Sequence, residues 1–364
     1  MASEMSLEEF KTALEERRQR VYRYLRAGDY ARYFRPSHVC DAVFSYLDHG
    51  GKGLRPGILF FACGAVGGKE ETALPAAAAV EVYHTWTLVH DDVIDRDEVR
   101  RGGATVHTEF GRRGQTELGL DRGDAEHYGT SIAILAGDVQ QGWTVSLLAD
   151  LARNGVEPGL VLALINRLSL DVQTTLLEGQ TLDIRYSKLP LDAVDEEQIL
   201  EMLWKKTGAL YEFAAQAGAA IGLRTAEFSH PAIHAVGQFA SKCGAAFQLQ
   251  DDILGLVGDE DRLGKPVGSD IREGKRTVVF HAAFKRADAK TRERLAQIVG
   301  NEHATMAEIE EAKRIIVDLG GIEHTQALAR SYVDSAFEFL DVLPDSRYKD
   351  LLAAWGRYLI ARTF

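Results

Sequence analysis

Proline is scarce in this chain. Its 364 residues hold 8, where average usage near ~5% would give roughly 18. Proline lacks the backbone N–H and clashes with the preceding helical turn, so a long proline-poor chain rich in Ala and Leu is expected to be all-α. Cysteine is scarcer still. Cys40, Cys63 and Cys243 lie far apart and form no Cys-x-x-Cys, which argues against a thiolate zinc site and a disulfide framework. Basic residues are the minority, 42 against 54 acids, for a net charge of −12. That excludes a generic nucleic-acid binder, which needs a basic surface for phosphate, though not a local basic pocket. No apolar run reaches the ~18 residues of a spanning helix. The start of the chain carries Glu4, Glu8 and Glu9 without a hydrophobic signal core. These absences predict a soluble, cytoplasmic protein with no membrane span.

What is present is helical periodicity. Leu7, Phe10, Leu14, Val21 and Leu25 recur at helical spacing over 6–27, with Gly28 as a stop. Similar patterns follow at roughly 38–48, 55–66, 72–97, 131–153, 157–185, 196–222, 229–257, 275–286, 289–299, 306–318, 322–343 and 346–362. The stretch 112–130, RRGQTELGLDRGDAEHYGT, has four glycines, mixed charge and no apolar stripe. It reads as a long exposed loop inserted between two helices. No repeat and no Pro/Gly/Ser-rich linker divides the chain, so a single helical domain over 1–364 is expected.

Chemistry concentrates in three places. In HTWTLVHDDVID, from His84 to Asp95, Asp91 and Asp95 are four apart and share a helix face. Two anions at that spacing repel unless a cation sits between them, and Mg²⁺ takes carboxylate oxygens while leaving positions for water and phosphate. A solvated acidic face is the bland alternative for one such motif. The second place is FQLQDDILG, where Gln248, Asp251 and Asp252 lie among Ala245, Ala246, Leu249 and Ile253. Acids on a mostly buried helix need partners. The third is spaced positive charge: Lys52 and Arg55 in GKGLRP, Arg100 and Arg101 after the first acidic motif, Lys205 and Lys206, then Lys265 and Lys275. Arg as a bidentate fork and Lys as a point charge suit a phosphate-rich ligand. His84 stands two turns, roughly 10 Å, before Asp91 on the same face, where a second anion could sit beside the metal site.

In this order the motifs resemble the trans-isoprenyl diphosphate synthases, or polyprenyl synthetases. They run GKxxRP, HDDxxD with RRG following, GQxxD at 179–183, KT at 206–207, FQxxDD, GKP and a final GK. The likeness covers nearly the whole chain and is closest to short-chain geranylgeranyl and farnesyl diphosphate synthases. It implies one large antiparallel helical bundle around a central cavity, usually a homodimer. It implies Mg²⁺, three ions per active site with diphosphate bound and Mn²⁺ as an alternative. By resemblance Asp91, Asp95 and Asp251 coordinate metal, with Asp92 and Asp252 in support. Arg100, Lys206, Lys265 and Lys275 hold the allylic diphosphate. Lys52, Arg55, His84 and Arg101 hold isopentenyl diphosphate. Thr207, Gln180 and Gln248 face the reacting carbons, and Asp183 orients neighbouring cations. Gly255 departs from the pattern, standing where the second motif usually ends in aspartate.

Product length is expected to depend on bulk before Asp91, at Trp86 and Thr87, with Tyr83 nearby. One bulky and one small residue resemble the geranylgeranyl (C20) type more than the farnesyl (C15) type. A helical wheel places Trp86 about 140° from Asp91, with Tyr83 and Thr87 nearer the active face. Three rivals stand beside this reading. A class I terpene synthase would not need the second diphosphate set. A helical metal phosphohydrolase, prompted by His90-Asp91, would need further histidines at ligand spacing. A weakly catalytic partner subunit is kept in view by Gly255.

Overall fold

The computed structural model describes residues 5–258 and 268–361. Among these the only strands are a two-residue ribbon, Val99–Arg100 paired antiparallel with Gly103–Ala104; the regular structure is otherwise helical. The expected all-α class therefore holds. Where the sequence predicted one domain, the chain divides into two compact units, both discontinuous. One comprises Glu8–Ile165 and Ala217–Phe228, and is called the amino-terminal unit below. The other comprises Met1–Leu7, Asn166–Gln216 and Ser229–Phe364, and is called the carboxy-terminal unit.

The amino-terminal unit centres on the helix Glu70–Asp95. Ala76, Ala77, Ala78 and Ala79 have no exposed surface, and a run without bulky side chains lets neighbouring helices approach closely. Helices Leu54–Ala65 and Arg122–Ala149 pack against it. The carboxy-terminal unit is built on Pro231–Val257, where His230 caps the N-terminus and Pro231 occupies the first turn. A cluster including Ile253, Leu256, Ile271, Val279, Phe280 and Ile316 packs around the last turns of that helix, anchoring the end that carries Asp251 and Asp252.

Helix boundaries follow the sequence patterns closely, with one correction. The segment 112–130 is not a loop. Val106–Leu118 and Arg122–Ala149 are two helices joined by three residues. Gly119 closes the first in a left-handed conformation, and the Asp121 side chain accepts from the Asp124 N–H to start the second. Gly114 and Gly129 are contact residues. A Cβ on Gly129 would lie 2.0 Å from the His107 carbonyl oxygen and 2.6 Å from the Gly111 nitrogen. Glycine here lets two helices touch backbone to backbone.

A second difference concerns apolar length. The continuous helix Pro158–Lys188 contains an 18-residue window of mean hydropathy 1.3, enough to cross a membrane by length and composition, and a third of that window is buried. Its few charges break the apolar run in the sequence but leave an apolar face. Leu170, Leu177 and Ile184 recur at seven-residue steps and are all exposed. Two π-turns interrupt the helical register, at Arg167–Val172 and Trp204–Gly208.

Candidate active site

In the amino-terminal unit the last two turns of Glu70–Asp95 present Asp91 and Asp95, both part-buried, on one face. Asp92 points elsewhere. It is fully buried and accepts from Arg100 Nε at 2.7 Å on both oxygens. The Arg100 Nη2 and the Tyr46 hydroxyl donate to it as well, in very short contacts. Burial opposes the guanidinium charge, but the Asp92 hydrogen bonds outweigh it and raise the Arg100 pKa. Burial and then Asp92 raise Tyr46. Asp92 and Arg100 were predicted to support metal and to bind diphosphate. The structure places Asp92 in an internal ion pair that fixes Arg100. The Arg100 Nη2 also lies 4.0 Å from Asp91 and 3.8 Å from Asp97.

Arg101 is held by backbone geometry. Arg101 and Gly102 both have positive φ, 53° and 76°, between the paired strands, which is the turn that joins short ribbons with native twist. Its Nη1 donates to the carbonyls of Tyr46, at 3.2 Å, and Gly50, at the end of Ser37–Asp48. Gly51 leaves room beside this arginine, since a Cβ there would be 3.1 Å from both Arg101 Nη2 and Glu81 Oε1. Arg55 Nη1 lies 3.0 Å from His84 Nε2. Burial first, then Arg55, Arg101 and Arg100, depress the His84 pKa well below its usual value. His84 is therefore a neutral imidazole accepting from a guanidinium. Lys52 is exposed on the turn before Leu54–Ala65.

Tyr83 and Trp86 are both buried, with rings edge-to-face at 4.9 Å. Thr87 is part-buried and turns its hydroxyl back to the His84 carbonyl. The two aromatic side chains, which the helical wheel had separated, form one apolar block.

The carboxy-terminal unit gathers a second set. Lys206 donates to Asp183 at 2.6 Å. Gly179 makes that pairing possible, since a Cβ there would meet the Lys206 nitrogen at 2.4 Å. Lys206 and Thr207 lie in the second π-turn, which rotates them relative to the helix before it. Thr207 Oγ1 donates to Gln248 Oε1 at 3.1 Å, and Gln248 Nε2 donates to Asp252 Oδ1 at 3.0 Å. Gln180 is part-buried on the same helix as Asp183. Lys275 pairs with Glu273 at 3.0 Å, and Lys265 lies outside the described residues.

Asp252 carries the strongest signal in this set. Burial, then Asp270, raise its pKa well above the usual carboxylate value; Asp251 and Asp183 add to this, and only Gln248 opposes. Among the described residues its buried Oδ2 has no hydrogen-bond partner. Hard oxygens crowded by like charge fit a divalent cation. Among the described residues no three His, Cys, Asp or Glu side chains converge on one point, so such an ion would complete its shell with water and phosphate oxygens. Tyr46 and Asp270 were not singled out from sequence: neither belongs to a local motif, and only the folded chain brings them to Asp92 and Gly255.

The family described as polyprenyl synthetase matches residues 37–316. The chain belongs to the polyprenyl synthetase family. It is 36% identical to the geranylgeranyl diphosphate synthase of Methanosarcina mazei over 91% of both chains. It is 33% identical to the geranylfarnesyl diphosphate synthase of Aeropyrum pernix over 90% of this chain and 95% of that one. Among solved structures, geranylgeranyl pyrophosphate synthetase from Pyrococcus horikoshii superposes with a TM-score of 0.82 at 31% identity, covering 98% of this chain and 99% of that one. The Corynebacterium glutamicum geranylgeranyl pyrophosphate synthase complexed with isoprenyl diphosphate and magnesium gives 0.83 at 28%, covering 99% and 100%. This polyprenyl synthetase is thus a helical trans-prenyltransferase.

Proposed function

We propose that this polyprenyl synthetase condenses isopentenyl diphosphate with an allylic diphosphate and releases geranylgeranyl diphosphate. The observation that carries the reading is the Arg55–His84 pair, with Arg101 and Lys52 nearby in sequence order. It is a second anion site on the helix that carries Asp91 and Asp95. A cyclase acting on one diphosphate has no use for it, whereas a condensing enzyme must hold two.

In this reading the two units act together as one synthase module. Mg²⁺, held by Asp91, Asp95 and Asp251, would neutralise charge growing on the departing diphosphate. Arg100, Lys206, Lys275 and Lys265 hold that allylic diphosphate. The allylic C–O bond breaks, and the electron pair leaves with diphosphate. Thr207, Gln248 and Gln180 line the path of the resulting allylic cation. The isopentenyl double bond then attacks it, in an orientation fixed by Arg55, His84, Arg101 and Lys52. A carbon–carbon bond forms, and the proton lost in closing the new double bond goes to the released diphosphate. Asp183 orients Lys206 throughout, and Asp92 orients Arg100.

The C20 product is favoured by the buried Tyr83–Trp86 block, which we take as the floor limiting chain growth. Relatives named geranylfarnesyl diphosphate synthase keep a longer product as the alternative, with the farnesyl product on the shorter side. The exposed Leu170–Leu177–Ile184 stripe is an apolar face that a second copy in a homodimer would cover. The test is a product assay with Mg²⁺, labelled isopentenyl diphosphate and C5, C10 or C15 primers, with chain length read after phosphatase treatment. A C20 alcohol is expected, and Asp91→Ala should lose activity by about 10²–10³-fold or more. A hydrocarbon or free diphosphate without elongation would move the chain to the cyclase reading. Unchanged activity in Asp91→Ala would make it a partner subunit.

A further inference from the structure

The helix Leu7–Ala27 carries none of the motifs, yet it touches the turn that bears Lys52 and Arg55. A Cβ on Gly53 would lie 2.9 Å from both Cβ and Cγ of Arg18, and one on Gly57 would lie 2.5 Å from Leu14 Cδ1. Gly53 has a positive φ of 62°, so glycine there serves both the turn and the close approach. Arg18 is itself fixed by Glu15, to which its Nε and Nη2 each donate at 2.6 Å.

One turn further along, the same helix reaches a buried acid. The Tyr22 hydroxyl donates to Glu81 Oε1 at 2.9 Å. Glu81 is 3% exposed and stands one turn before His84 on the helix Glu70–Asp95. That Oε1 and Arg101 Nη2 each lie 3.1 Å from the Cβ position of Gly51, so a buried anion and the guanidinium share the space beside that glycine. The other terminal nitrogen, Arg101 Nη1, is taken by the Tyr46 and Gly50 carbonyls. Burial, then Glu81, push the Tyr22 pKa up, against a smaller pull from Arg101 and Arg18, so the hydroxyl stays a donor at neutral pH. A buried carboxylate keeps its charge where donors and cations hold it. Tyr22 supplies that donor from a separate helix.

We propose that Tyr22 and Glu81 are positioning residues for the isopentenyl diphosphate site. The hydroxyl fixes the Glu81 carboxylate, and the Glu81 charge holds the Arg101 guanidinium beside Arg55 and His84. The helix Leu7–Ala27 thereby acts on substrate binding through Arg101. The assignment deepens the synthase reading and rests on it for the identity of the anion. Its effect is confined to one of the two diphosphates, because Arg100, Lys206 and Lys275 are held by other acids, Asp92, Asp183 and Glu273.

The test separates the two diphosphates. Initial rates are measured with isopentenyl diphosphate varied at saturating C15 primer, then with the primer varied. Tyr22→Phe keeps the ring and removes one hydroxyl. It should raise the KM for isopentenyl diphosphate about tenfold, within what loss of a hydrogen bond to a charged group can cost. The allylic KM and kcat should stay within about twofold of wild type, the signature of lost substrate binding at one site. Glu81→Gln can still accept from Tyr22 but lacks the charge, and should raise the same KM by a similar factor. The double variant should be no worse than Glu81→Gln alone, because the hydroxyl acts through that carboxylate. Tyr24→Phe alters the same helix at a residue bonded to Asp150, and should leave all three constants unchanged. An isopentenyl KM in Tyr22→Phe within about twofold of wild type overturns the proposal, as does a joint rise of both KM values, which marks a packing role. Titration calorimetry with isopentenyl diphosphate keeps the two claims apart. Wild-type elongation with unchanged affinity in Tyr22→Phe removes the Tyr22 assignment alone. Absent elongation, with isopentenyl diphosphate binding that weakens in Tyr22→Phe, removes the synthase reading and keeps the positioning. A wild-type protein that binds no isopentenyl diphosphate removes both.

Discussion

Replacing Asp92 by asparagine tests the internal ion pair most directly. Asp92 has no exposed surface and accepts from Arg100 and Tyr46 at once. Asparagine keeps the volume, so no cavity forms. It removes the charge and aims an NH₂ group at a guanidinium that can only donate. Breaking a buried pair by removing one partner costs about 3–5 kcal/mol. The lower end is expected here, because Asp91 at 4.0 Å and Asp97 at 3.8 Å still face the Arg100 Nη2. Urea denaturation should therefore show a loss of about 3 kcal/mol. Tyr46→Phe removes one hydrogen bond to a charged group and should cost less, about 1.5–3 kcal/mol. The decisive measurement is a double-mutant cycle with Arg100→Met. Coupling of about 2 kcal/mol is expected between groups in direct contact. The reasoning fails if Asp92→Asn costs under about 1 kcal/mol, or if the two changes add to within about 0.5 kcal/mol.

Two further outcomes follow from the same unit. Trp86→Ala removes half of the Tyr83–Trp86 block and should lengthen the product beyond that of the wild type; an unchanged product would show that the floor lies elsewhere. Its stability cost should be about 3–5 kcal/mol, as for other buried Trp truncations. His84, whose pKa is pushed down by burial and by Arg55, should stay neutral from about pH 6 to 8, so the KM for isopentenyl diphosphate should show no His84 inflection near its unperturbed value of about 6.5. The linked stability has a definite sign. Below about pH 6.5 the unfolded chain takes up a proton that folded His84 refuses, so this contribution is present above that pH and declines below it. An imidazole signal absent from His84→Gln and titrating near 6.5 would refute the assignment.

Much of this was legible in the sequence because its signals are local. The helix Leu7–Ala27 was predicted as 6–27 from five apolar residues and a stopping glycine, and Pro231–Val257 as 229–257. Glycine was the ambiguous signal. The same residue marks a turn at Gly119 and a backbone contact at Gly129, and only the partner across the contact tells them apart. The doublet Asp91-Asp92 was ambiguous in the same way: adjacent carboxylates point about 100° apart, but which one is internal depends on Tyr46, far away in sequence. The wheel for Trp86 gave no sign that Tyr83 packs edge-to-face against it. Asp270 lay beyond reach, because its relation to Gly255 exists only between two helices.

The discontinuity of the two units bears on how the chain is made. Most of the amino-terminal unit, Glu8–Ile165, leaves the ribosome early, but its remaining piece is Ala217–Phe228. That piece is a close fit: a Cβ on Gly218 would lie 2.0 Å from the Leu59 carbonyl oxygen. At about 5–20 residues per second, the early segment waits roughly 3–13 s for it. During that interval the Leu54–Ala65 helix, buried along its length in the finished protein, has an uncovered side. Translation speed through the intervening stretch, including the apolar Pro158–Lys188 helix, therefore sets how long a sticky half-built surface is exposed to chaperones or to other nascent chains.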